Sequence, residues 1–129
     1  LLTQACLSSM KQRAWGRIIH IGSEFFQRGV PNFSAYVAAK GGQNGLSRSM
    51  ASELAPFGIT VNMISPGWIP VERHENDPQE AKDGYSALVP AARWGVPEDI
   101  ASAVAFLASD AAGFIIGQNI CINGGLTVA

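Results

Sequence analysis

Apolar residues fall along this chain in two rhythms. Over residues 1–13, Leu2, Ala5, Cys6 and Met10 recur at helical spacing, which predicts a helix or the end of a longer one. Gly16 breaks it. In "GRIIHIGS", Ile18, Ile19 and Ile21 form a nearly continuous run, predicting a strand buried on both faces, as in a parallel sheet. Gly29 and Pro31 mark a loop, after which Asn32 or Ser34 is predicted to cap a helix that reaches about Pro56. Val37, Leu46, Met50 and Leu54 are among its apolar positions, and Gly58 closes it. "ITVNMIS" predicts a second buried strand, stopped by Pro66 and Gly67. Residues 68–95 keep neither rhythm; long, acidic and punctuated by proline, they are predicted to fold over something as a lid or binding loop. Pro97, Glu98 and Asp99 then open a helix, with proline in the first turn and acids at the positive end of the dipole. Ile100, Ala103, Val104 and Leu107 form its inward face, and "QNICING" predicts a third strand.

This alternation of helix and strand predicts an α/β layered domain with parallel strands joined by right-handed crossovers. A chain of 129 residues suits one domain with a real core, residues 1–129 as a single unit. The net charge of −1 supplies no basic footprint for nucleic acid and no polybasic membrane patch. No run approaches the roughly 20 apolar residues of a membrane span, and the first residues lack the order of a signal peptide. Cys6 and Cys121 lie far apart without metal-ligand spacing, which favours a reducing, cytoplasmic setting over a disulfide framework.

Candidate chemistry centres on Ser23, Tyr36 and Lys40. Tyr36 and Lys40 stand four residues apart at the start of the long predicted helix, so their side chains share a face. An ammonium beside a phenol favours the phenolate, and a tyrosine tuned this way exchanges a proton with an alcohol or carbonyl oxygen near neutral pH. Ser23 follows a predicted buried strand, the edge where α/β sheets place ligands. Each feature alone has a plainer reading, since Tyr/Lys pairs recur on helices by chance and serines commonly cap turns. A serine hydrolase built on His20, Ser23 and His74 fails, because Ile21 stands where the nucleophile elbow needs glycine. His20 reads as a packed core residue. "ERHENDPQEAKD" reads as a solvated acidic loop rather than a metal site, and Trp15, Trp68 and Trp94 read as scattered packing residues.

The whole pattern carries more than its parts. "GRIIHIGS", then thirteen residues from Ser23 to Tyr36, then Lys40, "VNMISPG" and "RWGVPEDIASAVAFLASDAAGFIIGQNICINGG" resemble the short-chain dehydrogenase/reductase family in order and spacing. The resemblance implies an oxidoreductase that uses NAD or NADP to interconvert an alcohol and a carbonyl on a small-molecule substrate. Tyr36 would be the general acid/base. Lys40 would lower its pKa and hold the nicotinamide ribose, and Ser23 would position the reacting oxygen. Pro66, Gly67 and the backbone at Ile69 would line the nicotinamide pocket, and residues 68–95 would be the substrate lid. Metal ligands are not implied.

Two departures qualify the match. Val71 occupies a position where the family often has threonine, and valine cannot donate its hydrogen bond. The family's Gly-rich phosphate turn, its first four strands, its ribose-selecting residue and its catalytic asparagine all fall upstream of Leu1. The expected fold is therefore a partial Rossmann-like one, three parallel strands with flanking helices and the N-terminal dinucleotide-binding half absent. The glycines of "KGGQNG" lie within the long helix, where each costs about 1 kcal/mol relative to alanine. Close helix packing is expected to compensate, since in the family this helix forms much of a subunit interface. The first strand is expected to expose an unpaired edge, which invites association, so a homodimer or homotetramer is predicted. The alternative is a truncated, non-catalytic fragment acting as an oligomerising or partner-binding module.

Overall fold

A computed structural model describes residues 2–128, with Arg73 described by its backbone alone. Helix α1 (Leu2–Gln12) leads into strand β1 (Gly16–Ile21), a short helix α2 (Phe25–Arg28) and the long helix α3 (Ser34–Leu54). A 3-10 turn over Ala55–Phe57 ends at Gly58, whose φ of 71° is left-handed, and whose missing Cβ leaves room for the Ala14 carbonyl. Strand β2 (Ile59–Pro66), helix α4 (Gln79–Ser86), helix α5 (Pro97–Ala108) and strand β3 (Asn119–Ile122) complete the order.

The three strands form one parallel sheet in the order β1-β2-β3. Gly16 pairs with Ile59 and Ile21 with Ile64, while Met63 pairs with Asn119 and Pro66 with Ile122. Period-two alternation sends successive side chains to opposite faces. Ile18, Ile59 and Val61 pack with Met50, Ala51 and Leu54 of α3 and with Leu7 and Met10 of α1. Ile19, Ile64 and Ile120 face the other way, onto Ile100, Ala103, Val104 and Leu107 of α5. The result is three layers, and the predicted inward face of α5 is the observed one. Leu54, Ile59, Met63, Ile64 and Leu107 are fully buried, each contributing on the order of 1.5–3 kcal/mol.

Packing corrects the sequence reading at several points. Only the central strand β2 is buried along nearly all of its length, from Ile59 to Ser65; β1 is half-buried along most of its length, because an edge strand has a neighbour on one side only. In α1 the residues reaching the core are Leu7 and Met10, not Leu2, Ala5 or Cys6, all of which lie outside it. In α3 small Ser47 and Ala51 turn inward with Leu54, letting the helix sit close to β2, while Leu46 remains 53% exposed. Neither Asn32 nor Ser34 caps α3: Phe33 occupies the N-cap without a side-chain bond, and Asn32 is left-handed at φ 66°.

The crossovers also differ from expectation. With strands in consecutive order, two right-handed connections would put α3 and α5 on one face. They lie on opposite faces, so the two connections have opposite hands. Residues 68–95 supply the length for the second one, freeing it from the geometry that governs compact βαβ units. Asn62, buried in β2, pins the chain entering β3 by donating to the Ile115 carbonyl at 2.7 Å and accepting from the Gln118 N–H at 3.0 Å.

Candidate active site

The predicted site residues gather at the carboxyl ends of the strands, where open parallel sheets place ligands. Gly22 continues β1 by donating its N–H to the Ile64 carbonyl at 2.6 Å. A Cβ there would collide with Met63 and approach Ser65 Oγ at 2.8 Å, so glycine permits the close strand exit that delivers Ser23. Ser23 is buried, and its Oγ accepts the Phe25 N–H at 3.3 Å, tying it to the start of α2.

Lys40 Nζ donates to the Ile21 carbonyl at 2.8 Å, with Gln43 Oε1 at 3.5 Å. This anchors the ammonium at the end of β1, 5.9 Å from the centre of the Tyr36 ring. The Tyr36 ring meets Phe25 edge-on at 5.9 Å, and Phe25 meets Phe33 at 5.0 Å. Tyr36 is 43% exposed. Its hydroxyl has no hydrogen-bond partner among the described residues, nor does any bond join it to Ser23. The fold thus brings serine, tyrosine and lysine around one strand end and leaves the phenol open to a ligand.

Pro66 and Gly67 form the adjacent strand end. The Pro66 carbonyl accepts the Glu24 N–H at 3.1 Å, and the Gly67 N–H donates to the Ile122 carbonyl at 2.9 Å. A Cβ on Gly67 would lie 2.5 Å from the Tyr85 hydroxyl and 2.9 Å from Asn123 Cβ, so this turn too requires glycine. Ile69 is half-buried, and its backbone N–H donates to no group among the described residues. That N–H is available to a carboxamide, and the Lys40 ammonium to a sugar hydroxyl, so the residues present fit the nicotinamide-ribose end of a dinucleotide. No Gly-rich strand-to-helix turn for its phosphates occurs among the described residues. The Val71 N–H donates to His74 Nδ1 at 3.2 Å.

Residues 68–95 are not a structureless loop. They contain a 3-10 turn at Glu72–His74 and helix α4. Trp68 and Trp94, far from being scattered, pack together: Trp68 meets Trp94 edge-on at 5.6 Å and Tyr85 at 5.4 Å, while Tyr85 stacks on Trp94 at 5.5 Å. Two of these rings, Trp68 and Tyr85, line a cavity of about 150 Å³ together with Gly67, Ile69 and Asn123 among others. Ser23, Tyr36 and Lys40 do not line it. The C-terminal end of the segment leads into α5, where Asp99 accepts both guanidinium nitrogens of Arg93 at 2.7 and 2.8 Å and the Val96 N–H at 2.9 Å. The Arg93 hydrogen bond first, then the Val96 N–H, hold the Asp99 carboxyl down to about 2.

Four residues at this sheet edge escaped the sequence reading: Glu24, Arg28, Tyr85 and Asn123. Glu24 has no exposed surface. Its Oε1 accepts from the Tyr85 hydroxyl at 3.1 Å and from Arg28 Nη1 at 3.2 Å, and its Oε2 accepts from Asn123 Nδ2 at 2.9 Å. Tyr85 in turn accepts the Trp68 N–H at 2.7 Å. Burial chiefly, with the Glu24 charge adding to it against the pull of the Trp68 N–H, pushes the Tyr85 phenol up to about 12. The one available signal was an acid in "GSEFFQR" directly after a buried strand, with arginine four residues on.

Comparison with known proteins agrees with this geometry. The family profile described as Enoyl-(Acyl carrier protein) reductase matches residues 1–127. The chain is 49% identical over 125 residues to the 3-oxoacyl-[acyl-carrier-protein] reductase FabG of Haemophilus influenzae Rd, covering 97% of this chain and 52% of that protein. It is 42% identical over 125 residues to the reductase of the same name from Escherichia coli K12, covering 97% and 51%. The chain thus spans about half the length of the curated relatives it matches. The crystal structure of the TT0495 protein from Thermus thermophilus superposes with a TM-score of 0.90 at 36% identity, over 98% of this chain and 54% of that one. A matched profile along nearly the full chain, with a Rossmann-like parallel sheet carrying serine, tyrosine and lysine at one strand end, places this chain in the short-chain dehydrogenase/reductase family of oxidoreductases.

Proposed function

We propose that this chain carries the proton-transfer half of an NAD(P)-dependent carbonyl reductase or alcohol dehydrogenase. The observation that supports this most is the Lys40 ammonium fixed on the Ile21 carbonyl beside an exposed Tyr36 whose hydroxyl is uncommitted. When bound, the dinucleotide supplies or accepts the hydride; the residues of this chain handle the oxygen. In reduction, Tyr36 gives its phenolic proton to the substrate oxygen as the carbonyl carbon gains hydride, and the phenolate is stabilised by the neighbouring cation. Ser23 donates to the same oxygen and orients it. Lys40 and the free Ile69 N–H hold the ribose and carboxamide, Pro66 and Gly67 shape the pocket, and residues 68–95 cover the substrate. The relatives' names make a 3-oxoacyl thioester the first carbonyl to try. The two cysteines are unpaired, in keeping with a reducing cytoplasmic setting.

The test is turnover by this chain or a longer one that contains it. Tyr36→Phe is expected to lower kcat by at least about 100-fold while the dissociation constant for the dinucleotide changes little. Retained turnover removes Tyr36 from its role.

A second reading has its own support. A Cβ at Gly41, Gly42 or Gly45 would meet nothing within 4 Å. On this reading the chain is an oligomerising module without turnover. Titration with NADPH and NADH, followed by tryptophan fluorescence, separates the two: micromolar binding by this chain supports the catalytic reading, and silence up to millimolar concentration supports the module.

A further inference from the structure

Glu24 joins four stretches of chain that are distant in sequence. Its own backbone N–H holds the end of β2 through Pro66. Its carboxylate takes Arg28 from α2, Tyr85 from the last turn of α4, and Asn123 from the turn after β3, across separations of 61 and 99 residues for the last two. All three partners are donors, the arrangement a carboxylate can accept in full. Tyr85 spends its single proton on Glu24 and a lone pair on the Trp68 N–H. The middle of residues 68–95 is therefore hydrogen-bonded to the residue that follows Ser23.

We infer that Glu24 is a positioning residue that latches residues 68–95 onto the Ser23 turn, acting through Tyr85 and Asn123. That this segment is a lid over substrate rests on the function proposed above; the latch itself does not. The structure gives the latch three properties. It touches both turns, since Glu24 follows Ser23 directly and donates its N–H to the Pro66 carbonyl. It is dry, since Glu24 is fully buried, and a buried carboxylate that loses donors is left with an uncompensated desolvation cost. It opens at one point, because removal of the Tyr85 hydroxyl frees α4 and Trp68 while Arg28 and Asn123 stay on Glu24. The Tyr85 ring also stacks on Trp94 and meets Trp68 edge-on, so release reaches an aromatic cluster of which Trp68 and Tyr85 line the cavity beside Gly67.

Amide hydrogen exchange on this chain, without cofactor or substrate, tests the latch. In Tyr85→Phe the Trp68 amide and the amides of α4 are expected to exchange about ten-fold faster, the loss of one buried hydrogen bond, while amides of β2 keep their protection. Glu24→Ala is expected to release the segment at least as far. Glu24→Gln is expected to fall between wild type and Tyr85→Phe, because its amide oxygen still accepts from Tyr85 while its NH₂ opposes the Asn123 NH₂. Should Glu24→Ala fail to fold, Tyr85→Phe carries the test by itself. Wild-type exchange at Trp68 and α4 in Tyr85→Phe overturns the latch. So does equal acceleration across β2, which marks a general loss of stability. Exchange needs no turnover, so an active Tyr36→Phe variant would refute the proposed catalytic role and leave this result standing.

Discussion

His20 illustrates how one residue changes meaning once its neighbours are known. Mid-strand in an isoleucine run it reads as core; in the fold it is half-buried, with Nδ1 2.6 Å from Ser47 Oγ. Ser47 sends its own proton to the Gln43 carbonyl at 2.8 Å, which leaves His20 Nδ1 as the donor. Burial lowers the His20 pKa from 6.5, so the unfolded chain takes up this proton first on acidification. Its contribution to stability is complete above pH 6.5 and is lost as the pH falls below that value toward the folded pKa. Urea midpoints at pH 7.5 and 5.5 should therefore drop further for wild type than for His20→Gln. Parallel drops would show that another group governs the acid limb. Tyr36 and Tyr85 make the same point as a pair: the chain has two tyrosines, one left open beside Lys40 and the other half-buried and held protonated against Glu24. Nothing in their local sequence separates those fates.

At the scale of elements, period was legible and facing was not. All three strands, the long α3 and the inward face of α5 follow from spacing, proline and glycine. The inward faces of α1 and α3 did not, because apolar spacing cannot say which stripe meets the sheet when small residues pack closer than large ones. Ser47 and Ala51 won over Leu46 for that reason. The glycines of α3 were expected to be compensated by close packing, yet within this chain Gly41, Gly42 and Gly45 face open space. Alanine at exposed Gly42 and Gly45 should accordingly raise the stability of the monomeric chain by about 0.5–1 kcal/mol each. Chemical denaturation measures this, and it is read together with the oligomeric state: if the same substitutions weaken self-association, the bare helix face serves as an interface between copies. The two short helical pieces within residues 68–95 were missed because eight or fewer residues carry too little periodicity to register.

On the scale of the whole molecule, β1 stands at the edge of the sheet with no strand on one of its sides among the described residues, and Trp15 before it and Ile21 at its end are 42% and 45% exposed. Such an edge templates pairing, and the chain is expected to self-associate. Size-exclusion chromatography with light scattering should give a mass above that of one chain at micromolar concentration; a monomer throughout that range contradicts the expectation. The sequence by itself determined the order of the three strands and the three longer helices, and the parallel sheet, since these depend on local periodicity; it singled out Ser23, Tyr36 and Lys40 through their resemblance to a family pattern. The tertiary structure decided the opposite hands of the two crossovers, the aromatic cluster of Trp68, Tyr85 and Trp94, and the Glu24 junction. Those depend on contacts between residues as many as 99 positions apart. A buried acid is tolerable only where its donors converge, and no local pattern records that convergence.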